Sequence, residues 1–112
     1  MSINRIDALF ARLEQEQRAA FVPYVMAGDP DKLLSTEILL SLPNYGADMV
    51  ELGMPFSDPM ADGPAIQAAS QRSLVNRTTV AKVLEQAAMF RTAHKDTPLI
   101  LMGYANPILQ FG

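Results

Sequence analysis

Glu51 and Asp62 are the residues of this chain whose type and setting suit chemistry. Glu51 interrupts the otherwise apolar run Asp48-Met49-Val50-Glu51-Leu52-Gly53. In a strand, the period of two puts Met49, Glu51 and Gly53 on one face and Val50 and Leu52 on the other. If both faces are covered, the carboxylate loses hydration and must find partners or take up a proton, a setting suited to proton transfer. A structural glutamate, satisfied by hydrogen bonds or an ion pair, fits the same position. Asp62 stands before Gly63-Pro64 at the start of a helical pattern, an ordinary place for a helix cap. Ser57 and Asp58 belong to a Ser-Asp-Pro turn whose side chains bond their own backbone. The loop nevertheless gathers these groups beside the end of the glutamate strand. Two carboxylates in different environments there can divide acid and base roles.

The elements that must position them follow from periodicity. Ile6, Leu9, Phe10 and Leu13 share one face of an opening helix. The apolar run Ala20 to Met26 predicts a buried strand, ended by Gly28-Asp29-Pro30, where Asp29 is placed to start the next helix. Leu34, Ile38 and Leu42 share that helix's face, and Pro43 and Gly46 close it. The glutamate strand comes next, then the loop from Met54 to Gly63, whose prolines, aspartates and glycine suit neither helix nor strand. Two helical pieces follow, the first with Ile66, Ala69, Ser70 and Leu74, the second with Val80, Val83, Leu84, Ala87 and Phe90. Pro98 to Gly103 is the last strand. Almost wholly apolar strands alternating with helices predict an α/β fold with a parallel sheet covered on both sides.

Composition narrows the function. The chain has 112 residues, 49% hydrophobic and 19% charged, as ordinary globular chains have. A net charge of −3 with nine scattered Lys and Arg residues argues against nucleic acid. No apolar run approaches the ~20 residues of a membrane span, and the polar start, Met1 to Asp7, is unlike a signal peptide, so the cytoplasm is expected. Cysteine is absent and His94 is the sole histidine, which leaves no expected metal site. His94, in the polar stretch Thr92 to Thr97, is expected to be solvated and without a role.

The segment Glu51-Leu52-Gly53-Met54-Pro55-Phe56-Ser57-Asp58-Pro59-Met60-Ala61-Asp62-Gly63-Pro64 resembles the signature of the tryptophan synthase alpha chain family. The likeness extends to Phe21-Val22-Pro23-Tyr24, Ala27-Gly28-Asp29-Pro30, Ile66-Gln67 and Met102-Gly103-Tyr104-Ala105-Asn106-Pro107. It implies that residues 1–112 are the N-terminal part of a single (β/α)8 TIM-barrel domain, which typically needs ~250 residues. The implied activity is retro-aldol cleavage of indole-3-glycerol phosphate to indole and glyceraldehyde 3-phosphate, late in tryptophan biosynthesis, with no cofactor in this chain. Glu51 falls on the family's catalytic glutamate and Asp62 on the aspartate that accepts a hydrogen bond from the indole N–H.

Tyr24 and Met102 fall on the indole pocket, where the family commonly carries phenylalanine and often leucine. Pro55, Phe56, Ser57, Asp58, Asn106 and Pro107 fall where the beta chain is contacted, in a heterotetramer of two alpha and two beta chains. Pyridoxal phosphate belongs to that partner. The family's phosphate-binding loops come late in the barrel, so these 112 residues by themselves are expected to be inert as a lyase and prone to self-association through an open sheet edge. Two other readings stand beside it: a truncated barrel that only contacts the beta chain, and another phosphate-binding barrel enzyme of the same pathway.

Overall fold

The structure, a computed structural model, describes residues 4–55 and 63–103. Helix α1 spans Arg5–Glu16. The Asn4 side chain caps it by accepting from Asp7 N at 2.8 Å and donating to the Asp7 carboxylate at 2.9 Å, and Gln17 ends it in the left-handed region. Strand β1 is Tyr24–Met26 and helix α2 is Lys32–Ser41, followed by a 3-10 turn over Leu42–Tyr45 that Gly46 closes at φ +104°. Strand β2 is Val50–Gly53, helices α3 and α4 are Pro64–Val75 and Val80–Ala93, and strand β3 is Leu99–Met102.

All three strands are parallel in the order β1-β2-β3, each joined to its immediate neighbour by a helical crossover. A sheet wound in one direction in this way fits the beginning of a barrel and equally the first half of a doubly wound sheet, whose order reverses only at the fourth strand. One side of the sheet carries the main core. Val50 and Leu52 are fully buried there against Ala27, Leu39, Val83 and Phe90, which brings α2 and α4 onto that side. On the other side, Met49 packs with Leu9 and Leu13 of α1, with Val22 and Ile100 alongside. The opening helix therefore closes the lower end of the inner face, beneath the level of Glu51.

Several expected faces shift. In α1 only Leu9 and Leu13 are buried, while Ile6 and Phe10 are exposed. The buried residues of α2 are Ser35 and Leu39 instead of Leu34, Ile38 and Leu42. In α3 the expected Ser70 is buried together with Ser73, which the spacing did not name, and in α4 Gln86 joins the expected Val83 and Phe90. Asp29 does not start α2: Asp31 is the cap, accepting from Leu34 N at 2.9 Å. Gly63 holds the cap position of α3, with Pro64 following, and Asp62 lies outside the described residues. His94 is half-buried, not solvated. Its Nε2 lies 2.7 Å from the Leu40 carbonyl, which can only accept, so that nitrogen carries the proton; the ring also packs 5.3 Å from that of Phe90. Among the described residues no helix is long and apolar enough to cross a membrane.

Candidate active site

Glu51 is the second residue of β2 and is held from both sides. Its N–H donates to Pro23 O at 3.0 Å, and the ladder pairs it with Tyr24 of β1 and Ile100 of β3. Partners in a parallel ladder point the same way, so Tyr24, Glu51 and Ile100 form one level of the inner face. Met26, Gly53 and Met102 form the next level, toward the C-terminal ends of the strands. The Glu51 side chain is half-buried, and among the described residues it makes no hydrogen bond or ion pair. The reading of Glu51 as a structural carboxylate, satisfied by strands beyond these three, stands beside the catalytic one.

Tyr24 does not stand straight out from its strand. A side chain begun at Gly53 would overlap the Tyr24 hydroxyl and come within 2.6 Å of its Cζ. The ring thus leans up one level, across the bare backbone of Gly53, and occupies the space above Glu51. Met102 is 43% exposed on the same upper level. The strand register puts Tyr24, Glu51 and Met102 on one face. Pro55 is buried at the exit of β2. Phe56, Ser57, Asp58, Asp62, Asn106 and Pro107 lie outside the described residues.

The loop after β1 reaches the same C-terminal end, and a set of polar contacts that periodicity did not signal pins it there. The Arg72 guanidinium grips the Asp29 carboxylate with two bonds, of 2.6 and 3.0 Å, which raises the arginine's pKa further. Ser73 Oγ donates to Ala27 O, and Asn76 Nδ2 donates to Gly28 O at 3.2 Å. Gly28 sits at φ +82°, and a Cβ there would come within 2.8 Å of Ser73 Oγ and 3.0 Å of Thr78 Cβ. Only glycine meets both demands.

The opposite end of β2 is bound differently. Asp48, buried, accepts two bonds from Arg18 at 2.9 and 3.0 Å and a third from Phe21 N at 2.8 Å. The Arg18 bonds chiefly, and the Phe21 N–H with them, hold its carboxyl below the ordinary range against the opposing effect of burial. This carboxylate fastens the chain before β1 to the start of β2, far from the open end.

The tryptophan synthase alpha chain family matches residues 10–112. The chain belongs to the tryptophan synthase alpha chain family. Curated alpha chains of Caulobacter vibrioides and Phenylobacterium zucineum are 54% and 56% identical to it over all 112 residues, which span 41% and 40% of those proteins. The crystal structure of tryptophan synthase subunit alpha from Legionella pneumophila superposes with a TM-score of 0.94 at 44% identity, over 99% of this chain and 42% of that one. The sheet is thus the N-terminal part of an alpha-chain TIM barrel, and the alternative of another barrel enzyme of the pathway falls. In this family setting the face bearing Tyr24, Glu51 and Met102 is the inside of the barrel, and its upper end is the end where barrel active sites are built.

Proposed function

We propose that residues 1–112 form the first part of one barrel domain and supply the acid-base centre for cleaving indole-3-glycerol phosphate. The observation that carries this reading is the placement of Glu51: an inward carboxylate near the open end of the barrel, unpaired among the described residues, beneath an aromatic ring. Glu51 delivers a proton to the indole carbon that bears the glycerol side chain and accepts the proton of the adjacent hydroxyl. The carbon–carbon bond then breaks to give indole and glyceraldehyde 3-phosphate. Asp62 accepts a hydrogen bond from the indole N–H and stabilises the positive charge that develops on that nitrogen. Tyr24 and Met102 flank the indole ring. These steps need no cofactor in this chain.

The beta chain, which carries pyridoxal phosphate, is the proposed partner in a heterotetramer of two alpha and two beta chains, in the cytoplasm. Pro55, Phe56, Ser57, Asp58, Asn106 and Pro107 contribute to that surface. A second reading stands beside it, in which residues 1–112 contribute only to contact with the beta chain. The 112 residues alone then meet the beta chain without cleaving substrate.

Indole release from indole-3-glycerol phosphate by the full-length protein, with Glu51→Gln beside it, tests the first reading. Loss of ~100-fold or more in rate is expected, the range for removing a general acid-base group. Unchanged activity demotes Glu51 to a structural role. No release by either, even with beta chain added, sinks the lyase reading. Binding of the 112-residue chain to the beta chain without indole release supports the second.

A further inference from the structure

Helix α3 belongs to neither apolar core. Among the described residues, both core clusters and the side chains packed against them come from other elements, and the buried residues of α3 are Ser70 and Ser73. Apolar burial, which holds α2 and α4 on the sheet, therefore holds α3 less firmly. Its attachment is polar and lies at its C-terminal end. There Arg72, Ser73 and the capping Asn76 bond the Asp29 carboxylate and the carbonyls of Ala27, Gly28 and Pro30.

All of those partners belong to the exit of β1, which is itself tied to β2 where Ala27 N–H donates to Gly53 O at 3.0 Å. Of these contacts the Arg72–Asp29 pair is the one between two charged side chains, and its two bonds fix direction as well as distance. Helix α3 starts at Pro64, eight residues before Arg72. At 1.5 Å per residue that is ~12 Å, so a tilt of ~5° about the pair moves the start of the helix by ~1 Å. Asp62 is joined covalently to Gly63, the cap of this helix, while Glu51 is held in the ladder of β2. The angle of α3 thus bears on how the two acids stand to each other. A displacement of ~1 Å at a reacting centre can cost ~100-fold in rate.

We infer that Arg72 and Asp29 are positioning residues for the lyase reaction: their pair sets the angle of α3 and, through it, where Asp62 meets the indole N–H. The inference rests on the proposed role of Asp62 and adds to it the contact that keeps that carboxylate in place.

Two ligands read the position of Asp62 without turnover. One is indole propyl phosphate, which lacks the hydroxyl that cleavage needs; the other is its benzofuran counterpart, whose ring oxygen has no proton to give. Titration calorimetry on the full-length protein is expected to show a preference for the indole ligand of ~10-fold or more, the worth of a hydrogen bond to a charged group. Arg72→Ala is expected to bring that preference close to unity while the protein remains folded at the assay temperature. A pair that serves stability alone would weaken both ligands alike and keep the preference, which overturns the inference, as does unchanged binding of both. Equal affinity for the two ligands in the unmodified protein removes instead the role of Asp62 on which the inference rests. Should Arg72→Ala fail to fold, Asp29→Asn, of the same shape as the aspartate, takes its place with the same outcomes.

Discussion

The Tyr24 ring lies across Gly53, so the side chain of one strand fills the space that its neighbour leaves empty. The two residues belong to different levels of the ladder, since Tyr24 pairs with Glu51 and Gly53 with Met26. The ring therefore roofs the level on which Glu51 stands, and the absence of a side chain at Gly53 is what lets it do so.

Gly53→Ala is expected to force the ring out of its place and destabilise the fold by ~1–3 kcal/mol, as overpacking does. Tyr24→Leu should relieve part of that loss. A double-mutant cycle read by urea unfolding is expected to give a coupling of at least ~0.5 kcal/mol. Strict additivity would show that the two residues do not share the space.

Asp31, not Asp29, is predicted to carry the start of α2. Asp31→Ala should cost ~1 kcal/mol in thermal or urea unfolding through the lost bond to Leu34 N. Asp29→Asn should act elsewhere, by loosening the Arg72 grip and speeding hydrogen exchange in the loop after β1. Identical effects of the two changes on both measurements would contradict this division.

Ser73→Ala removes a buried donor and leaves Ala27 O without it. A loss of ~1–2 kcal/mol is expected. Ser73→Thr should not restore stability, since the added methyl must enter a fully buried position beside Gly28. Full stability in Ser73→Ala, measured by urea unfolding, would show that the loop is held by other contacts.

Asp48 sets an acid limit. Its folded carboxyl titrates below the ordinary value of 3.8, so its contribution is present above pH 3.8 and is lost as the pH falls through the depressed folded value. Asp48→Asn should lower the unfolding midpoint at pH 7 and flatten the decline of stability below about pH 4. A variant whose acid decline matches that of the unmodified protein would remove Asp48 from the account.

The elements were readable because their apolar residues recur at plain intervals. Val50 and Leu52, alternating with Met49 and Glu51, gave both the strand and its two faces. Helix faces were less legible for a physical reason: positions 35, 73 and 86 are buried but polar, each drawn inward by a hydrogen bond. Apolar periodicity passes over such residues and settles on Leu34 or Ile38, which lie to one side. Glu51 stood out because its carboxylate broke an apolar run. The Arg72–Asp29 pair, 43 residues apart, had no local signal at all. Gly53 was legible as a strand end but not as the seat of the Tyr24 ring, since the overlap exists only once two strands are in register.

Backbone hydrogen bonds to β1 and β3 set the height of Glu51 in the sheet, whereas Tyr24, Ile100 and Met102 set only what surrounds it. Position and surroundings can therefore vary separately. Replacements at 24, 100 or 102 that keep the ladder intact change the shape and polarity of the enclosure while the carboxylate stays put. A lineage drifting in those side chains reshapes the enclosure without having to rebuild the placement of its carboxylate.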